Sequence, residues 1–347
     1  MLPGYNAQRV EEGWWAFSVK KQSDYDTAVL DADLTYTHPV KDPKVADVTK
    51  EIRSDKSSFG KGHEFATNQW EVARDVKMSR NFDGSSLILG WALAFCLGKV
   101  VTTNPSGSVY RHQMYFFDPD VESTCSLPVT SAVESVTAGI KRILRGLAFS
   151  QVTLSAEGFE QINVAAEMIG SGFTAASTLA IPSMPTLSYL ASSAATIKLG
   201  NAAEDISTRV RSWSVVFNNN PRVARGYFPG SGLYRGRMEI GSRTAIPSLV
   251  VDVDATDDIM ADFLAGTAIA LEINCDGATI GGTYKHYLKI IFPDLYYRAT
   301  PLEEKDGMYT YALNFDEESV MYNSSRTVPL CEVIIQNQTP NYLVSSV

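Results

Sequence analysis

The chain has 347 residues, 30 basic against 39 acidic for a net charge of −9, with 45% apolar side chains, 24 Gly and 15 Pro. That is ordinary globular composition, which excludes a disordered, collagen-like or coiled-coil chain, and the acidic balance disfavours a protein whose task is to grip phosphates. The longest uncharged apolar run, Leu87 to Gly98, falls well short of the roughly 20 residues that cross a bilayer, so no membrane partner is expected.

In chain order, the opening MLPGYNAQRVEEGWW places acidic residues where a secretory leader needs a basic and then an apolar segment, so folding in the cytosol is expected. Two-residue alternation of Val, Ile, Tyr, Phe and Thr, bounded by Gly, Asn, Asp and Pro, predicts strands over 26–36, 66–79, 109–117, 147–155, 160–170, 206–217, 235–253, 268–275, 283–292, 309–315 and 330–337. Between the second and third of these, Leu87, Ile88, Trp91, Ala92 and Phe95 recur at helical spacing behind the N-cap candidates Asp83 and Ser85. Ile259, Met260, Phe263 and Leu264 do the same behind Thr256 and Asp257. The amphipathic stretch Val133 to Leu147 reads as a helix or a connection. The stretch His38 to Gly62, rich in Lys, Asp and Ser around Pro39 and Pro43, reads as a long polar loop, and loops of that length are usually functional. Gly172 to Asn201, rich in Ala, Ser and Thr, has the composition of a surface connector.

The helices point to a duplication. After the first comes Tyr110-Arg111-His112-Gln113-Met114-Tyr115-Phe116-Phe117-Asp118-Pro119-Asp120, and after the second Tyr284-Lys285-His286-Tyr287-Leu288-Lys289-Ile290-Ile291-Phe292-Pro293-Asp294. The segments align without gaps, with Tyr110/Tyr284, His112/His286, Pro119/Pro293 and Asp120/Asp294 identical, and each follows a strand, a helix and a turn in the same order. The expected fold is therefore mainly β, in two tandem sandwich or partial-barrel units, each flanked by one short helix. Residues 1–24 form an N-terminal arm, 25–172 and 204–347 the two units, and 173–203 the connector.

No constellation asks for chemistry. His112 and His286 lack a nearby second His or Cys at ligand spacing, so a repeated structural histidine is expected. Cys96, Cys125, Cys275 and Cys331 form no C-x-x-C pair and read as free, mostly buried thiols. The run Asp252 to Asp258 lacks the central Gly and closing Glu of a calcium loop and reads as a strand end leading into a helix start. We expect no catalytic, cofactor-binding or metal residues, no cofactor, and no enzyme.

The order of long strand, polar loop, long strand, short helix and antiparallel run resembles the tail tube proteins of long-tailed bacteriophages. It carries Val19-Lys20-Lys21, Gly60-Lys61-Gly62-His63-Glu64 and Ile169-Gly170-Ser171-Gly172 along the way. The resemblance implies a virion protein, the major tail tube subunit, assembled in the host cytoplasm, and the duplication and the chain's size favour a flexible, non-contractile tail. Six units would ring a β-lined channel through which viral DNA passes without specific binding, and rings would stack through long loops. With two units per chain, the ring is a trimeric pseudo-hexamer or, alternatively, a hexamer. Expected partners are further copies and the tape measure, tail terminator and baseplate proteins. The stacking candidates are Lys41, Asp42, Lys44, Lys50, Arg53 and Lys56. The alternatives are a baseplate hub or tail-end protein of related fold, and a monomeric carbohydrate-binding or hydrolytic β-sandwich.

Overall fold

A computed structural model describes residues 13–25, 27–42, 44–55, 66, 68–118, 126–137, 140–175, 179–200, 203–254, 259–305, 307–320 and 329–346. In chain order the elements are β1 (Trp14–Phe17), β2 (Asp47–Ser54), β3 (Gln69–Asp83), α1 (Ser86–Leu97), β4 (Gly98–Ser106), β5 (Val109–Phe116), β6 (Thr130–Thr137), β7 (Ile140–Glu157), β8 (Asn163–Gly170) and β9 (Gly172–Ala175). There follow β10 (Ala195–Leu199), β11 (Glu204–Asp205), β12 (Val210–Asn218), β13 (Thr244–Asp252), α2 (Ile259–Ala265), β14 (Ile269–Gly281), β15 (Tyr284–Leu295), β16 (Leu302–Lys305), β17 (Met308–Asn314) and β18 (Glu332–Asn337). The protein is mainly β, as the alternation predicts.

The strands form two antiparallel sheets. The larger runs β16-β17-β13-β12-β7-β8-β3-β2, with β6 and β9 on the first half of β7 and β1 beyond β6; the smaller runs β11-β10-β14-β15-β18-β5-β4. Each sheet therefore draws strands from both sides of residues 173–203, and one apolar core joins Val152 of β7, Val215 of β12, Ile273 of β14 and Ile335 of β18. Side chains alternate between faces along a strand, so paired residues line up as rows across the larger sheet. Phe82, Val164, Leu154, Val215 and Pro247 make one core-facing row. The next row, on the opposite face, is polar throughout: Asp83, Asn163, Ser155, Ser214, Ser248 and Asn314.

Helix α1 lies in the core with all of its residues buried. A helix apolar all round has no face for water, and its place here is inside the sandwich. Ser85 caps its start by accepting the Ile88 N–H at 3.3 Å, and Gly98 ends it at φ +84°, a left-handed value that suits Gly. Trp91 packs 4.3 Å from Phe17 and 4.9 Å from Phe149, and its indole N–H donates to Ser18 O at 3.0 Å. By contrast α2 buries only Ile259.

Several expected elements differ. Of the strand expected over 26–36, the described residues 27–36 form none: a 3-10 turn at Asp31–Asp33 interrupts them, with Asp33 paired to Lys20 at 2.8 Å, and only Tyr36 bridges to Phe17. Residues 235–243 are irregular because Arg235 is drawn inward, pairing with Asp75, donating to Gly170 O at 2.6 Å and stacking on Tyr227. Val133 to Leu147 is neither helix nor plain connection but the β6–β7 hairpin, whose backbone groups find partners in β1 and β9 as well. Within the stretch expected as a polar loop, residues 47–54 are β2. Within the segment expected as an arm, β1 places Trp15, Ala16 and Phe17 in the core. Between the sheets, Arg80 and Glu134 form a buried ion pair at 3.0 Å that also engages Arg142.

Candidate functional site

The features that stand out are unfinished borders. Among the described residues, β2 and β16 each pair on one side only, and these two strands end the larger sheet. An open edge presents unpaired N–H and C=O groups that template another strand. Apolar side chains accompany both: Ile52 on β2 is 56% exposed, Trp70 beside it on β3 50%, Leu302 on β16 53% and Tyr309 on β17 68%. Both edges carry mixed charge. The β2 border carries Lys44, Asp47, Lys50, Glu51 and Arg53, and β16 carries Glu303, Glu304 and Lys305.

β8 pairs with β3 only from Val76 to Asp83, Arg74 and Asp75 are anchored by Tyr227, Leu233, Tyr234 and Arg235, and beyond them residues 69–72 carry β2 outward as a projecting hairpin. On that arm Lys50 pairs with Glu71 at 3.1 Å and Arg53 with Glu51 at 3.3 Å. Lys41 and Asp42 lie further back, over the polar face: Lys41 pairs with Asp83 at 2.6 Å, and Asp42 accepts from Asn81 at 2.5 Å. Lys44 is exposed with its N–H on Asp42 O. Lys56 lies outside the described residues. The structure thus separates the five described residues into two groups, Lys50 and Arg53 on the arm and Lys41, Asp42 and Lys44 before it.

The polar face is chemically quiet. Besides the row from Asp83 to Asn314, it carries Ser79, Glu167, Gln151, Asn218 and Thr244 in register. Neither row contains Lys or Arg. A shallow groove of about 410 Å3 crosses it where β7 meets β12, lined in part by Ser155, Glu157, Ser212 and Ser214. The wall is mostly hydroxyls, amides and scattered carboxylates, with Lys41, paired to Asp83, as a cation lining the groove.

The repeat-matched residues sit on β5 and β15, which flank β18 in the smaller sheet. Tyr110 and Tyr284 are half-buried near the starts of those strands, and Pro293 and Asp294 near the end of β15; Pro119 and Asp120 lie outside the described residues. His112 is fully buried: its Nε2–H donates to Thr339 O at 3.0 Å and Asn337 Oδ1 at 3.2 Å, so Nδ1 accepts from the Thr102 hydroxyl at 2.9 Å. His286 Nδ1 meets Ser86 Oγ at 2.9 Å. His38 joins them at the start of α1, with Nδ1–H donating to Pro39 O and Nε2 accepting from Ser85 Oγ. Burial pushes all three imidazoles below their ordinary pKa. His38 and His286 hold Ser85 and Ser86 at the start of α1, and His112 acts on it through Asn337, whose amide donates to Ser86 O at 2.9 Å.

Sequence reasoning passed over β16. Its signal was present in Leu302-Glu303-Glu304-Lys305-Asp306-Gly307-Met308, where Asp-Gly marks a tight hairpin. Gly307 has φ +78°, and Lys305 pairs with Met308.

A family model described as phage tail tube protein matches residues 16–316 of the chain. No curated protein matches it.

Proposed function

The chain belongs to the phage tail tube protein family, and from that premise we propose that it is the major tail tube subunit, which assembles into stacked rings around a channel for viral DNA. The observation that carries this reading is the strand order of the larger sheet. Its first four strands run β2-β3-β8-β7 and its last four β12-β13-β17-β16. Each set is a hairpin, then a second hairpin entered in reverse, with a helix and an outer hairpin between them in the chain. This order supports reading the chain as one building block used twice, head to tail, over the proposed units 25–172 and 204–347. Head-to-tail contacts that close generate rings.

The polar face would line the channel. Its hydroxyls and carboxylates repel or ignore the phosphate backbone, so the genome slides past without being trapped. The work is assembly and passive conduction in the virion tail, with no catalytic step. Three chains would supply six blocks. The projecting β2–β3 arm, with Lys50 and Arg53, would meet the adjacent ring, and the tape measure, tail terminator and baseplate proteins would meet the tube ends.

Electron microscopy of concentrated purified protein tests this. Stacked rings with an open lumen are expected; a monodisperse monomer at all concentrations would overturn it, and single rings that never stack would favour a baseplate or tail-end role.

A further inference from the structure

We propose that the connection between β12 and β13, residues 219–243, is a bracket that holds the β2–β3 arm at a set angle toward the next ring, with Arg235 as its positioning residue. This rests on the tube reading above and names what aims the arm and how many arms a chain offers. By strand order β12 and β13 are the counterparts of β2 and β3, each pair being the hairpin that opens its half of the larger sheet. β3 and β13 also both run from a last core-facing residue, Phe82 or Val251, to a final Asp, Asp83 or Asp252. The two connections therefore leave the sheet at the same end, yet they fold differently. After β2 the chain runs outward as the arm. After β12 it turns back through a 3-10 turn at Val223–Gly226, where Gly226 O accepts from Gly236 N–H at 2.8 Å, and lies against β3.

The bracket has a footing of its own. Met238 is fully buried with Phe117, Leu127 and Ala148, and its carbonyl accepts from the Leu127 N–H at 2.9 Å. Arg222 N–H donates to Glu239 O at 2.9 Å, and the Glu239 carboxylate pairs with Arg225 and Arg237. From this footing it grips β3 where β8 stops. The Arg74 N–H donates to Leu233 O at 2.9 Å and the Arg74 carbonyl accepts from the Tyr227 hydroxyl at 3.0 Å, so the bracket takes the place of a neighbouring strand there. The Arg74 guanidinium donates to the Tyr234 hydroxyl at 3.1 Å and to Glu71 at 2.6 Å, and Glu71 holds Lys50 of β2, which carries the grip across the arm.

Arg235 is the centre of the contact. Only 2% exposed, it pairs with Asp75, donates to Gly170 O at 2.6 Å and Val223 O at 3.3 Å, and stacks on Tyr227. Charge-assisted bonds of this kind are the stronger and more directional ones. The segment Ile169-Gly170-Ser171-Gly172 is the seat: Gly170 supplies the carbonyl, and at Gly172 an added Cβ would strike the Tyr234 ring. Since the second connection is used as a bracket, a chain presents one arm, and a ring of three chains would reach its neighbour through three arms although it holds six blocks.

Tyr227→Phe with Asp75→Asn removes the hydroxyl and the charge that hold the arm's root and leaves Arg235 its carbonyl partners. Hydrogen exchange on the full chain should show residues 47–54 opening about tenfold faster, as loss of one neutral and one charged hydrogen bond implies, with the β12 amides unchanged. Rings should persist in micrographs while tubes shorten. Arg235→Ala should act alike, and Arg235→Lys, which keeps a charge beside Asp75, should restore slow exchange and tube length. Reconstructed tubes should show one bridge per chain between rings. Unchanged exchange over 47–54 with full-length tubes in the double variant, or two bridges per chain, would overturn the bracket while the tube role stands. Absence of tubes from the unmodified protein would overturn the tube reading, and the exchange result would then decide the bracket by itself.

Discussion

At the scale of single residues, the neutral histidines make the most direct prediction. His38, His112 and His286 are each held in the uncharged form by burial, with His38 and His112 using one ring nitrogen as donor and the other as acceptor. Their folded pKa values lie below the ordinary value near 6.5, so the unfolded chain takes up more protons as the pH drops. Stability is then complete above about pH 6.5 and declines as the pH falls through that value. Thermal melts should show a lower midpoint at pH 5.5 than at pH 7.5, and His112→Gln should shrink that difference. The exposed carboxylates of Asp205 and Asp316, held below the usual range by the hydroxyls of Ser207 and Ser319, would act only below about pH 4. Equal midpoints across the upper window would contradict the assignment.

At the scale of elements, α1 and the projecting arm behave oppositely because one is enclosed and the other is not. Gly90 lies mid-helix, where Ala would ordinarily gain about 1 kcal/mol of helix propensity. Here an added Cβ would stand 2.2 Å from the hydroxyl of buried Tyr342, so packing decides. Gly90→Ala should destabilise the protein by about 1–3 kcal/mol, read as a lower denaturant midpoint at unchanged slope; a gain in stability would mean that Tyr342 moves freely. On the arm, Ile52→Asp with Trp70→Asp removes two exposed apolar side chains that the core does not use. The melting temperature should change little, since exposed substitutions usually stay within about 0.5 kcal/mol. Tube length in micrographs should fall sharply while rings persist; tubes of full length would exclude the arm from stacking.

At the scale of the molecule, the stagger of the larger sheet bears on the size of the proposed ring. The equivalent aspartates Asp83 and Asp252 are not in one row: Asp83 aligns through Asn163, Ser155 and Ser214 with Ser248, four residues before Asp252. A stagger of about four residues over four strands is a shear equal to the strand number, which corresponds to a tilt near 36°. The sheet is thus set at an ordinary barrel angle. With strands about 4.8 Å apart, three chains of eight such strands close at a backbone diameter of about 45 Å, and six chains at about 90 Å. The smaller figure fits one duplex with side chains subtracted. Native mass measurement of dissociated rings should therefore give three chains of 38.0 kDa; six would require that only part of the sheet faces the channel.

The sequence by itself determined the class of the protein and most of its strands, because period-two alternation is written locally and survives any topology. It also determined the buried helix, through the run from Leu87 to Leu97. It marked His112 and His286 as a matched pair. What only the tertiary structure decided is which strands are finished and which are not. Leu154 lies in the long β7 and Leu302 in the four-residue β16, and only the assembled sheet gives the first a strand on both sides and the second a strand on one. Edge strands such as β2 and β16 are polar and short, so their own residues signal a loop. Their conformation comes from hydrogen bonds to a partner far away in the chain, and that partnership exists only once the sheet has formed.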